Sequence, residues 1–189
     1  MKRLLLTLPM ALFLTGCFTA SQPREAREWT VEFDRASFSG RRQPRFGVCR
    51  VLQTAVRAPY DSKPIAVLRA DGSMAFDPYN RFSAAPAALL GAAALDALNA
   101  CGDFEAVLDS VSSVRSDVDL EMTATRLVLD CTEARARKAK VELTLSMLER
   151  REFVKTVNAS GEAFADDGNY TKAFSAAFSA AVSDCIRRL

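Results

Sequence analysis

Chemistry in this 189-residue chain has to come from carboxylates, basic side chains and five cysteines, because the sequence contains no histidine. The missing imidazole removes histidine general bases, Ser–His and Cys–His nucleophile pairs, and zinc sites built on histidine. No P-loop, nucleophile elbow or dinucleotide-binding glycine pattern takes their place. Asp166-Asp167-Gly168-Asn169 has the oxygen-rich look of a calcium loop, yet it lacks the spaced ligands and the closing glutamate. Asp167 or Asn169 capping a following helix accounts for it better. The expectation is a protein that is not an enzyme and carries no metal and no cofactor.

The cysteine with the clearest context is Cys17. Met1-Lys2-Arg3 is a cationic start, and residues 4–14 are an apolar run too short to cross a bilayer core of roughly 30 Å as a helix. The run ends in Leu14-Thr15-Gly16-Cys17, which resembles the lipobox of bacterial lipoprotein precursors. The resemblance implies a diacylglyceryl thioether on Cys17, cleavage ahead of it and acylation of the new amino terminus. Each buried methylene contributes about 0.8 kcal/mol, so two or more acyl chains anchor a protein stably where one does not. Residues 1–16 are then a signal peptide, 17–28 the lipidated cysteine with a polar tether, and 29–189 a single globular domain. Phe18 instead of Asp after the lipidated residue implies delivery to the outer membrane, with the domain facing the periplasm.

Cys49, Cys101, Cys131 and Cys185 show neither CxxC nor metal-knuckle spacing. An even number in an oxidising compartment points to two disulfides, with three connectivities open. Cys101 and Cys185 fall near the C-terminal ends of predicted helices and are paired on that ground, which leaves Cys49 with Cys131. Four buried free thiols are the competing reading.

The formal net charge is +2, and the only charged residues of segment 1–16 are Lys2 and Arg3. The domain is therefore neutral, unlike a nucleic-acid binder, which needs cationic excess to displace counterions from phosphates. Its charges are unevenly spread. Residues 35–60 carry six arginines and no acid, and Arg135, Arg137, Lys138 and Lys140 form a second basic set. Residues 103–121 carry six acids against Arg115 alone. This predicts an electrostatically polar domain whose basic loop, with Arg41, Arg42 and Arg45, meets anionic head groups or an acidic partner. Solvated hairpin loops are the plainer alternative.

These residues need elements to hold them. Trp29, Val31 and Phe33 alternate with polar residues as in a half-buried strand, and a second strand covers about 46–56. Ala70-Asp71-Gly72-Ser73 is a hairpin turn signal. Pro86 and Gly102 bracket an alanine-rich helix whose nearly all-apolar sequence predicts burial on most sides. A strand at 104–108 precedes a long one at 118–131, whose apolar phase slips near Thr125-Arg126 and predicts a bulge. Residues 138–147 alternate with one wet face, which points to antiparallel pairing. A last strand follows the Arg150-Arg151 turn. In the closing helix, Tyr170, Ala173, Phe174, Ala177, Phe178, Ala181, Val182, Cys185 and Ile186 share one face, and Ser175, Ser179, Ser183 and Arg187 line the other. The predicted fold class is α+β: one mainly antiparallel sheet with two helices packed on one face.

Residues 59–107 carry a pattern of their own. Ala58-Pro59-Tyr60-Asp61, Pro64-Ile65-Ala66 and Leu68-Arg69 precede the hairpin. Phe76-Asp77-Pro78-Tyr79-Asn80-Arg81-Phe82, Ala85-Pro86, the Ala/Leu helix and Gly102-Asp103-Phe104 follow it. The pattern resembles the auxiliary lipoproteins of ABC-type transport systems that accompany lipid transporters built on mammalian-cell-entry (MCE) domains. Arg-Trp is usual in that family where Arg81-Phe82 stands here. The resemblance implies a noncatalytic, outer-membrane-anchored adaptor that docks onto an MCE-domain protein and ABC transporter components and serves transport of phospholipid or another hydrophobic substrate. It marks Tyr79, Arg81 and Phe82 as motif residues for partner or lipid contact, or as a helix-entry anchor with Phe82 in the core. A lipoprotein of outer-membrane or lipopolysaccharide assembly, and a periplasmic lipid carrier, are the alternatives. A homo-oligomer is compatible with each of them.

Overall fold

The computed structural model describes residues 25–37, 43–133, 136–165 and 168–189. Among these, the elements run β1 (Arg27–Trp29), β2 (Phe46–Val56), β3 (Pro64–Leu68), β4 (Met74–Phe82), α1 (Pro86–Cys101), β5 (Phe104–Leu108), β6 (Val118–Glu133), β7 (Ala136–Glu149), β8 (Glu152–Phe164) and α2 (Tyr170–Arg187), with a 3-10 turn at Arg35–Ser37. The eight strands form one sheet in which β6 is central: β7 takes one edge, and β2 and β3 share the other. β2 covers Val118 to Ala124 and β3 covers Leu129 and Asp130. The changeover falls at the bulge between Ala124 and Arg126, where the slip in apolar phase predicts it.

This sheet corrects the expected one. It is mixed, with parallel pairings of β1–β4, β2–β5, β2–β6 and β3–β6 against antiparallel β3–β4, β6–β7 and β7–β8. The alternation with a wet face describes β7 faithfully, and β7 is antiparallel to both neighbours. It says nothing of β2 and β3, which follow each other along the same edge of β6 in the same direction. The Pro59 to Pro64 segment is a sidestep between them, with a cis Ala58–Pro59 peptide, and not a reversal.

Both helices join one apolar core with the inner faces of β2, β6 and β7, and they touch each other. Pro86 opens α1, and Gly102 closes it in the left-handed conformation at φ 69°. The helix is less enclosed than its composition predicts: Leu90, Ala93, Ala94, Ala97, Leu98 and Cys101 are buried, while Ala88, Ala92, Asp96 and Asn99 form an outer stripe. Among the described residues no helix is long and apolar enough to cross a membrane.

The enclosed helix is α2. Asn169 caps it, its side chain accepting from the Lys172 N–H at 3.0 Å. Asp167, the other predicted cap, lies outside the described residues. Ser179 and Ser183, expected on a wet face, are 1% and 3% exposed. For Ser179 the reason is the segment 30–34, which leaves the sheet after β1 and lies along α2. The N–H groups of Thr30, Glu32 and Asp34 donate to the hydroxyls of Thr171, Ser175 and Ser179 at 3.1, 2.9 and 2.9 Å. Two residues of extended chain advance about 6.6 Å and four of helix about 6 Å, so every second N–H meets every fourth hydroxyl. Val31 and Phe33 meanwhile point into the core.

α2 can approach β8 only because residue 161 is glycine: a Cβ there would lie 2.0 Å from the Ala177 carbonyl oxygen. Gly161→Ala is expected to lower stability by about 1–3 kcal/mol through overpacking against helix backbone, read as a drop in urea midpoint with unchanged slope.

Candidate functional site

The motif residues sit where β4 departs from β3. Pro64 pairs with Arg81 but Ala66 with Phe76, so β4 carries three extra residues in an excursion centred on Pro78 and Tyr79. Asp77 builds that excursion. Its Oδ1 accepts from the N–H groups of Tyr79 and Asn80 at 2.8 and 3.0 Å, and its Oδ2 accepts from the Asn80 side chain at 2.8 Å. Held this way, the Asn80 Oδ1 accepts from the Trp29 indole N–H at 2.9 Å. Arg81 donates to Glu28 from Nε and Nη2 at 3.1 and 2.8 Å. Phe82 is 1% exposed, its ring edge-on to Phe174 with centroids 5.3 Å apart.

The motif is thus a clamp. β4 grips β1 through Asn80 and Arg81 and roots itself in the core through Phe82. Phe82 has no surface for a partner, which corrects its reading as a contact residue, and Arg81 is engaged by Glu28. Tyr79 is exposed. The sequence offers no sign that Asp77, Asn80, Glu28 and Trp29 belong to this unit, because only the fold brings residues 28 and 29 beside residues 80 and 81.

Beyond the clamp, the hairpin presents apolar surface. Met74 and Phe76 are 41% and 47% exposed. They pair with Leu68 and Ala66, on the sheet face away from the helices. Ala66 and Val128 are buried on that same face, although the main core lies on the other. The face continues across β6, β7 and β8 as a charge ladder. Lys140 meets Asp130 at 2.9 Å and Glu162 at 3.2 Å, and Lys138 lies 4.0 Å from Glu133 and Glu162 and over the Phe164 ring. Burial pushes the Asp130 carboxyl up, but hydrogen bonds from Thr132 and Lys140 outweigh it and hold it at about 2.

Part of the uneven charge is taken up inside the fold. β2, which carries the arginine run, lies between β5 and the start of β6, which carry the acids. Arg45 donates to the buried Asp103 at 2.7 Å and lies over the Phe46 ring at 5.0 Å, so its charge is used inside the fold. Arg50 donates to the Val114 carbonyl, and Arg35 lies 3.6 Å from Asp96. Arg41 and Arg42, like Cys17, lie outside the described residues.

Cys49, Cys101, Cys131 and Cys185 are unbonded thiols. Cys49 stands opposite Val118 at one end of β6, and Cys131 lies thirteen residues further along that strand. The separation is roughly 40 Å, whereas a disulfide requires Cα atoms about 4.4–6.8 Å apart. That excludes the Cys49–Cys131 pairing. Cys185 lies against the Val157 carbonyl of β8, and Cys101 donates to the Leu98 carbonyl at 3.0 Å. Among the described residues no three Cys, Asp or Glu side chains are grouped to hold a metal ion.

No family model and no curated protein matches the chain. Solved structures do. A Xanthomonas campestris protein of family DUF330 is similar over 85% of this chain and 92% of its own, at 17% identity and a TM-score of 0.68. An uncharacterised protein is similar over 84% of this chain and 98% of its own, at 14% identity and a TM-score of 0.55. The lipoprotein GNA1162 of Neisseria meningitidis matches at 12% identity over 75% of this chain and 96% of its own, with a TM-score of 0.33, too low to speak of a common fold. The first two likenesses show a shared fold.

The outward charge ladder has a pH signature. The Asp130 carboxyl is lowered from 3.8 to about 2 in the fold, so its stabilising contribution is complete above pH 4 and is lost as pH falls towards 2. Asp130→Asn is expected to be less stable than the parent at pH 7, and the difference in urea midpoint should shrink steadily between pH 4 and 2.

Proposed function

We propose that the protein is a noncatalytic, lipid-anchored adaptor of the bacterial envelope. It serves an ABC- and MCE-type transport system for phospholipid or another hydrophobic substrate, and it is anchored in the outer membrane through Cys17. The observation that carries this reading is the clamp. β1 is the strand nearest the tether, and β4 grips it through Trp29–Asn80 and Glu28–Arg81 while presenting Met74, Phe76 and Tyr79 outward. A pull on the anchor therefore reaches the apolar hairpin through a few hydrogen bonds, which suits a module tethered at one end and docked at the other. The lipobox and the resemblance over 59–107 name the kind of partner: an MCE-domain protein or its ABC permease.

A lipid-carrier role has less support. The cavity of about 630 Å3 on the outward face is lined by Arg57, Thr125, Glu142, Thr144, Asn158 and Ser160 among others, and it is open to water. An acyl chain needs an enclosed apolar lining instead.

Two measurements test the adaptor. Cys17→Ala is expected to move the protein from the membrane to the soluble fraction. A photo-crosslinking residue at position 79 of the full chain in cells is expected to capture an MCE-domain protein or an ABC permease, and Phe76→Ser should cut that capture about tenfold without shifting the thermal midpoint. Capture of an outer-membrane barrel or of lipopolysaccharide-assembly proteins instead would overturn the transport reading.

A further inference from the structure

α1 runs antiparallel to β2 across the sheet face, and one contact fixes their relative position: a Cβ on Gly91 would lie 3.3 Å from the Thr54 Oγ1. Ten residues of helix from Gly91 to Cys101 advance about 15 Å. Five residues of strand from Thr54 back to Cys49 advance about 16.5 Å. The end of α1 therefore arrives over Cys49. The chain after α1 agrees, since the Asp103 carbonyl accepts from the N–H groups of Arg45 and Phe46 at 2.8 and 2.9 Å, three residues short of Cys49. Both side chains point into the same core, Cys49 at 0% and Cys101 at 1% exposure. Burial pushes the Cys49 thiol up to about 12, and Asp119 and Cys101 add to the rise, as expected of neighbouring sulfurs.

We propose that Cys49 and Cys101 form a disulfide that fastens the C-terminal end of α1 to β2. On oxidation Cys101 gives up its S–H bond to the Leu98 carbonyl, while its sulfur keeps lone pairs for the Asp103 N–H, from which it now accepts. Cys131 lies at the far end of β6 and Cys185 against β8, so both remain thiols. The oxidant is a disulfide donor, an envelope oxidoreductase in the cell or oxidised glutathione in vitro. One protein thiolate attacks the donor disulfide, giving a mixed disulfide and one donor thiol. The second protein thiolate attacks the protein sulfur of that mixed disulfide, the Cys49–Cys101 bond forms, and the second donor sulfur leaves. The two protons lost by the protein end on the two donor thiols. In the cell the reaction rests on the envelope address argued above. The test is run in vitro so that the two readings fail separately.

The test uses the purified full chain as a Cys17→Ser variant in detergent, which needs no lipidation, reduced and unfolded in urea and refolded by dilution into a buffer of oxidised and reduced glutathione. Remaining thiols are capped with N-ethylmaleimide and the protein is cut with trypsin without reduction. The expected product joins the peptides of residues 46–50 and 82–115, two hydrogens lighter than their sum, with Cys131 and Cys185 capped. The same link is expected in the Cys131→Ser/Cys185→Ala variant. Recovery of Cys49 and Cys101 each capped, or of Cys101 linked to Cys185, overturns the proposal.

Discussion

The structure depends on how the sixteen residues of β6 satisfy their backbone groups on both edges. A buried strand cannot leave a row of N–H and C=O groups unpaired. β7 runs along the whole of one edge, but neither β2 nor β3 is placed to cover the whole of the other. The two divide it at the bulge, and the Arg57 N–H donates to the Ala124 carbonyl as the chain leaves the edge. Seven residues then step aside before β3 resumes with the same heading. The parallel pairings of the central strand follow from that division. So does the position of the β3–β4 hairpin, which hangs from the far half of β6 and carries its apolar residues clear of the helices.

The N-terminal segment is fixed by a second match of spacings. β1 alone is three residues long and could not hold its place. It is extended by residues 30–34, which use helix hydroxyls as a strand uses its neighbour. The clamp on β4 holds the same segment from the other side. The entry of the chain into the domain is thereby bound to α2 and to the hairpin at once.

Much of the local structure was legible. The hairpin at Asp71-Gly72, the Pro86–Gly102 bracket, the bulge at Thr125-Arg126 and the periodicity of α2 are all signals carried within a few residues, and each stands where expected. What was not legible depends on partners distant in sequence. Alternation at Trp29, Val31 and Phe33 reads as a strand because it cannot reveal that the partner is a helix. Ser179 reads as a wet position because serine is polar, and nothing near it announces the N–H of Asp34. The candidate site divides the same way. Tyr79 is a surface residue, whereas Phe82 and Arg81 are committed to the core and to Glu28, and Asp77, the residue that shapes the excursion, is marked in sequence only as an ordinary Asx-Pro.

The fate of the charges bears most directly on recognition. An arginine run and an acidic run seventy residues apart suggest two poles, yet the sheet lays them side by side: Arg50 is opposite Asp119 across β2 and β6. Arg45 is held by Asp103, and Lys138 and Lys140 are answered by Asp130, Glu133 and Glu162. Pairs this close have short-range fields, which cancel within about a Debye length of 8–10 Å at physiological salt. Where charges are paired in this way, the surface steers a partner weakly from afar. What it offers at contact range is apolar: Met74, Phe76 and Tyr79 on β4, and Phe153 and Phe164 on β8, are all exposed. Among the described residues, then, the apolar side chains of the hairpin stand exposed on a strand clamped to β1, whereas Arg45, Lys138 and Lys140 are already turned towards acids of the same fold.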